Sequence, residues 1–482
     1  MTASKRLSIK RLVAGLACAG ALVAATGQAQ AAATLVINNI NGPGVGFNDP
    51  TPALPVGGNS GTTLGEQRFI AFGHALNLWG ATLNSNQPII INAQFSALTC
   101  TATAAVLGSA GATSVFRDFA NAPKAATWYP YALANKISGA YLGTLNAPQI
   151  SANFNVNLGQ SNCLTGTFFY WGLDGNHGTH IDFVAVLQHE LAHALGFVTF
   201  TNGNTGVQFG GSPSIWDHFL FGTTASKLWK DMTDAERAAS AISGDKLVWT
   251  GANVNGAVPF VLRPSIAALS ISGPAAGAAA GIYAVGEATF GTALGNPPVS
   301  SQIMPVVDQP NGTGLACLAL SAINRLAVRG NIGLVNRGTC ADTVKVKNLQ
   351  DAGAIAVLVA DNVVDLPPPG LVGTDATITI PSVLISQADG VTIKSRLGTR
   401  SRTASGVVGS LGFAGNQYAG ADALGRALMF APNPFQSGSS VSHWSPSMRP
   451  NQLMEPSINA DLTQSVIPPF DLTFRLLQDI GW

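Results

Sequence analysis

Three residues capable of metal and proton chemistry share one short stretch. His189, Glu190 and His193 lie within Asp-Phe-Val-Ala-Val-Leu-Gln-His-Glu-Leu-Ala-His-Ala-Leu-Gly, residues 182–196. On a helix, positions four apart fall on one face, so both imidazoles can reach a single cation. Glu190 stands beside them and can reach a water on that cation without ligating it. Zinc lowers the pKa of such a water to about 7 and polarises a carbonyl, while a carboxylate takes the proton. The pattern therefore points to metal-assisted hydrolysis, with Zn2+ as cofactor and Glu190 as general base. With 7 His in 482 residues, such a triple arises by chance on the order of once per 1,000 chains.

The chemistry requires a helix, and the stretch provides one. Leu187, Leu191 and Leu195 recur every four residues as an apolar stripe. Asp182 is placed as the N-cap, and Gly196 to end the helix in a left-handed conformation. Two histidines leave a zinc site incomplete, so a third ligand must come from elsewhere. Position 199, three residues beyond Gly196, is Thr199 rather than histidine. Asp217, Glu236 and His443 remain as candidates. Asp217 sits in the aromatic run Ile-Trp-Asp-His-Phe-Leu, which reads as core packing, and Glu236 reads as a first-turn acid behind a Thr233 cap. The Gly-Leu-Asp-Gly-Asn-His-Gly-Thr-His-Ile-Asp loop reads first as a structured turn. A second metal on His177 and His180, or a structural Ca2+ on Asp174 and Asp182, is the alternative there. His74 and His218 read as packed helix residues.

Charged residues make up only 10% of the chain, against a usual share of about 25%. The net charge of +1 gives no sign of a nucleic-acid partner. Residues 1–31 read as a signal peptide: Lys5, Arg6, Lys10 and Arg11 precede an apolar run, Leu12 to Ala25, and Ala29-Gln30-Ala31 offers a cleavage site. A secreted product, extracellular or periplasmic, with no membrane contact after cleavage is expected. Beyond Cys18 the cysteines are Cys100, Cys163, Cys317 and Cys340. An even number in an exported chain argues for two disulfides among three possible connectivities. Their placement in different parts of the chain favours Cys100–Cys163 and Cys317–Cys340.

Upstream of the histidine helix, residues 64–83 carry a helical pattern with Phe69, Ala75, Leu76, Trp79 and Leu83 on one side. Pro88 to Phe95 reads as a strand. Residues 149–157 alternate apolar and polar, as a half-buried strand does, and an edge strand fits that pattern. Downstream, the stretch between Gly196 and His443 is too long for a loop and must fold by itself. Within it, Asn331-Ile-Gly-Leu-Val-Asn reads as a strand and 341–353 as a helix. Ala354-Ile-Ala-Val-Leu-Val-Ala-Asp-Asn and Ile378-Thr-Ile-Pro-Ser-Val-Leu-Ile-Ser read as buried strands.

Two resemblances organise these parts. The run His-Glu-Leu-Ala-His-Ala-Leu-Gly-Phe, a long insertion, then Ser-His-Trp and Leu-Met-Glu-Pro at 453–456 resembles the leishmanolysin-type metzincins. The tail Asp-Leu-Thr-Phe-Arg-Leu-Leu-Gln-Asp-Ile-Gly-Trp resembles the helix that closes such domains. The resemblance implies His443 as third ligand, Met454 as the residue of a turn beneath the metal, and 149–157 as an edge strand lining the cleft and pairing with an extended substrate. The insertion, through Arg-Gly-Thr-Cys and Ala-Gly-Ala-Ile-Ala-Val, is similar to the protease-associated (PA) domain, a non-catalytic lid or docking module. The implied fold class is α+β: a metzincin-like zincin catalytic domain, with a mixed sheet and zinc-binding helix, interrupted by a β-rich α/β PA domain. The expected bounds are a signal peptide at 1–31 and the catalytic domain at 32–262 and 406–482, with the insertion at 263–405. The expected function is a secreted zinc endopeptidase acting on protein or peptide substrates, with His189, His193 and His443 on the metal and Glu190 activating a zinc-bound water. Two other readings are a zinc peptidase with Glu236 as third ligand, and an inactive secreted binding protein on the same scaffold.

Overall fold

Thr63 starts the first long helix through a capping box: its hydroxyl accepts from the Glu66 amide, and the Glu66 carboxylate accepts from the Thr63 amide. The computed structural model describes residues 32–295, 297–307, 314–364, 368–415 and 417–482; the signal-peptide expectation lies outside them. Helix α1 (Leu64–Thr82) buries Ala71, Phe72, Ala75, Leu76 and Trp79. Phe69 was expected on that face but is 48% exposed. Near the helix start its ring meets that of Phe47 edge-on, at 6.0 Å.

That sheet contains β1 (Leu35–Asn39), β2 (Ile89–Ser96), β3 (Gly108–Ala112) and β4 (Ile150–Asn155) in the order β1-β2-β4-β3. The first three of that order run parallel, and β3 is antiparallel to β4, with Ala110 opposite Ala152. Here the structure corrects the sequence reading. The alternating 149–157 segment is an interior strand, and the edge beside it is β3, whose Gly-Ser-Ala-Gly-Ala carries almost no intrinsic strand preference. It is a strand because β4 offers it a ladder.

Helix α2 (Phe183–Leu195) packs against the sheet. Asp182 caps it, accepting from the Val184 amide at 2.9 Å and the Ala185 amide at 3.4 Å. Leu187, Leu191 and Leu195 are fully buried, and the Phe183 ring lies 5.1 Å from Phe154 and 5.6 Å from Phe95. Burying each such aromatic stabilises the layer by about 1.5–3 kcal/mol. Cys100 and Cys163 are disulfide-bonded beside this sheet.

Residues 200–262 belong to the same core, through Trp216, Leu220, Trp229, Trp249 and Val258. The chain then enters a closed barrel of seven strands. These are β5 (Ala267–Ser272), β6 (Gly281–Glu287), β7 (Val299–Pro305), β8 (Ile332–Asn336), β9 (Ala356–Ala360), β10 (Ser382–Ile385) and β11 (Val408–Phe413). Their order is β5-β6-β10-β9-β8-β7-β11, closed by antiparallel pairing of β11 with β5. Between them lie α3 (Asp342–Asp351) and α4 (Gln387–Arg396). The strand expected from Ile378 begins only at Ser382, after Pro381, which has no N–H for the ladder. Cys317 and Cys340 form the second disulfide. The apolar clusters of the barrel share no residue with the first core.

After the barrel the chain returns to the first core and ends in α5 (Thr473–Ile480). The indole of Trp482 donates to the Leu195 carbonyl at 2.7 Å, tying the chain end to the end of α2. Between them sits Gly196 at φ 131°, where an added Cβ would lie 2.6 Å from Ile480 Cδ1. Gly196→Ala is expected to lower unfolding stability by about 1–3 kcal/mol. An unchanged urea midpoint would remove this account of the helix end.

Candidate metal centre

The helical spacing puts His189 and His193 side by side, and the returning chain supplies His443. A short backbone pairing carries it: the Phe430 amide donates to the His443 carbonyl, and the Trp444 amide to the Met454 carbonyl. The three Nε2 atoms form a nearly regular triangle, with 3.2 Å from His193 to His189, 3.2 Å from His193 to His443 and 3.3 Å from His443 to His189. Each opposite ring nitrogen meets a backbone carbonyl at 2.8 Å: Leu453 for His189, Phe197 for His193 and Ser439 for His443. A carbonyl only accepts, so each Nδ1 carries the proton and each Nε2 presents its lone pair inward.

Three lone pairs at such distances repel unless a cation sits among them. Tetrahedral zinc–nitrogen bonds of roughly 2.0–2.1 Å imply N···N separations of about 3.3–3.4 Å, which this triangle matches. Burial also keeps the rings neutral, as metal ligands must be. Burial, with the neighbouring ring charge, lowers His189 to about 3. Burial alone brings His193 to about 4, and burial with both neighbours holds His443 well below its ordinary value. Among the described residues no other set of three metal-competent side chains converges.

Glu190 faces the cleft. Its Oε2 accepts from the Ala110 amide of edge strand β3 at 3.0 Å, and burial pushes its carboxyl up to about 7. Met454 is fully buried and directly follows Leu453, whose carbonyl holds His189. The cleft has a volume of about 1090 Å³ and runs between β3 and residues 435–443, with residues 456–458 at one side. Among the described residues that line it, Glu190 and the three histidines are the ionisable ones.

The other candidates lie elsewhere. Glu236 is occupied at the surface, bonded to the Thr233 amide as a helix cap and to Lys227 at 2.7 Å. Asp217 is fully buried and accepts from Thr199 Oγ1, Thr201 Oγ1 and the Ser214 amide. In the 174–182 loop, Asp174 accepts from Tyr170 and Asn176, His177 bonds to backbone oxygens, and Asp182 is the helix cap. These groups serve the turn, and among the described residues no set of three metal-competent side chains converges there. His218 ends a short 3-10 helix (Ile215–His218), is partly buried, and meets Thr127 Oγ1 at 3.0 Å. Missed in the sequence were β3 and the three orienting carbonyls. Backbone groups belong to every residue and leave no mark in composition.

The chain contains a PA domain: the family model described as "PA domain" matches residues 302–393. Two curated relatives match locally. The "Probable lipoprotein aminopeptidase LpqL" of Mycobacterium tuberculosis is 30% identical over 105 residues, 22% of this chain and 21% of the relative. "Vacuolar-sorting receptor 2" of Arabidopsis thaliana is 32% identical over 130 residues, 24% of this chain and 20% of the relative. The chain thus spans about a fifth of the length of these curated relatives. Among solved structures, a zinc aminopeptidase from Bacillus subtilis aligns at 17% identity over 33% of this chain and 35% of its own, with a TM-score of 0.22. The aminopeptidase of Aneurinibacillus sp. strain AM-1 aligns at 22% over 32% and 31%, with a TM-score of 0.23. Overlaps this small carry no argument for the remainder of the chain.

The geometry separates His443 from Glu236 and Asp217. His443→Ala should leave the purified chain with well under one equivalent of zinc, whereas Glu236→Ala should retain a full equivalent by elemental analysis. Full zinc in His443→Ala would end this assignment.

Proposed function

We propose that this chain is a secreted zinc endopeptidase of the leishmanolysin-like metzincin type, its catalytic domain divided by the PA domain. The observation that carries this is the convergence of three neutral, proton-oriented imidazoles beside Glu190 on the floor of an open cleft. In this reading His189, His193 and His443 hold the ion. When bound, zinc supplies the Lewis acidity that lowers the pKa of a water to about 7 and polarises the scissile carbonyl.

The remaining steps belong to the chain's own groups. Glu190 takes the proton of the attacking water and delivers it to the leaving amine nitrogen. The Ala110 amide holds one carboxylate oxygen, so the other is aimed into the cleft. The carbonyls of Leu453, Phe197 and Ser439 keep the rings in the tautomer and orientation that ligation needs. Met454 packs beneath them. An extended substrate can add to the free edge of β3, which satisfies its backbone without demanding a sequence.

An open cleft flanked by the edge of β3 can take an extended chain along its length, which favours internal cleavage over removal of a terminal residue. Export is supported by the basic-then-apolar residues 1–31 and by the two disulfides. No helix among the described residues is long and apolar enough to cross a membrane. The intact Glu190 weighs against a purely binding scaffold.

Glu190→Gln is expected to lower kcat on casein by about 10²–10⁴-fold while zinc content stays at one equivalent. Phenanthroline should abolish activity and added zinc restore it. In a second assay, casein should yield internal fragments while aminoacyl p-nitroanilides remain uncleaved. Release of amino-terminal residues alone would replace the endopeptidase reading with an exopeptidase one.

A further inference from the structure

Position 199 is where a compact metal motif would supply its third histidine, and Thr199 stands there instead. The structure shows this threonine fully engaged. Its Oγ1 donates to Asp217 at 2.7 Å, and its backbone amide donates to Ser442 Oγ at 3.3 Å. Ser442 immediately precedes His443. Thr199 therefore forms a seam between the segment leaving α2 and the segment that returns with His443.

Asp217 governs that seam. Its Oδ2 accepts from Thr201 Oγ1 at 2.6 Å and from the Ser214 amide at 2.8 Å, so both hydroxyls of the 199–201 segment converge on one carboxylate. The group is fully buried, and no cation faces it among the described residues. A buried carboxylate without a cation is costly, and hydrogen bonds from these donors are what offset it. An apolar residue of similar size would avoid that cost but could not gather the segment. The neighbouring Trp216 ring lies 4.9 Å from Phe197, and Phe197 lies 5.1 Å from Trp444. The Phe197 carbonyl is the group that orients His193. The turn at Ile215–His218 thus braces the chain on both sides of the metal centre, next to His193 and next to His443.

We propose that Asp217 is a positioning residue for the metal centre. Through Thr199 and Thr201 it fixes the Phe197–Thr201 segment, and with it the carbonyl that orients His193 and the seam that seats His443. The proposal rests on the zinc reading given above. Groups that orient ligands from outside the coordination shell typically change metal affinity by about 10–100-fold.

The test measures zinc affinity of the full chain by competition with a chromophoric chelator, alongside urea unfolding of the zinc-free protein. Thr199→Val removes the donor to Asp217 and the acceptor of the Thr201 amide but keeps the amide to Ser442, and Asp217→Asn opposes the three donors with an amide group. Both should weaken zinc binding about 10–100-fold, and Thr199→Ser should bind as the unaltered chain does. If Asp217→Asn fails to fold, Thr199→Val and Thr201→Val carry the test. Unchanged zinc affinity in folded Thr199→Val and Asp217→Asn, with only the zinc-free unfolding midpoint lowered, would make Asp217 a packing residue and overturn the proposal. Absence of a tight zinc site in the unaltered chain would instead overturn the zinc reading, and this proposal with it.

Discussion

Three imidazole nitrogens held at 3.2–3.3 Å from one another, each with its lone pair pointing inward, form an arrangement that a protein does not maintain without cause. Rotating any ring by a half turn would relieve the repulsion, and each ring is prevented from doing so by a carbonyl on its far nitrogen. Those carbonyls come from three places: the turn after α2, the loop before His443 and the turn before Met454. Every one of these segments must be anchored before the site exists. Much of the remaining structure consists of those anchors.

The anchoring bears on how the barrel divides the first core. Helix α2 is buried along nearly its whole length and opens only at its His and Glu face. Its start is held by Asp182 and its end by Trp482, the last residue of the chain. The segments around the barrel are paired with each other where they leave and return: the Ser265 amide donates to the Gln417 carbonyl and the Ala419 amide to the Arg263 carbonyl. A barrel whose two connections run side by side can be inserted without pulling the flanking core apart, and its separate apolar interior folds around its own strands. The distance in sequence between His193 and His443 is therefore not a distance in space.

The cleft shows the same economy. Its upper wall is β3, a strand of glycine, serine and alanine, and small residues there leave the free backbone edge open to an extended chain. One of its amides is spent on Glu190. The strand that walls the cleft is thus also in contact with Glu190.

Much of this was legible in the residues themselves. The helix at 183–195, its Asp182 cap and its Gly196 end are written in periodicity and local capping chemistry, which act within a few residues. The two disulfide pairings followed from chain placement, and the inserted α/β segment from strand and helix patterns. The triad's third histidine was only one of three candidates until the family resemblance singled it out. The tertiary structure decided what local pattern could not. It made 150–155 an interior strand and Gly108–Ala112 the edge, because strand order depends on partners rather than on alternation. It placed Asp217 under the seam between Thr199 and Ser442, and it aimed three carbonyls at three rings. Sequence determined the helix and its chemistry because neighbouring side chains set them. The closing of the site was left to tertiary structure because it depends on backbone groups that every residue carries, brought together from segments hundreds of residues apart.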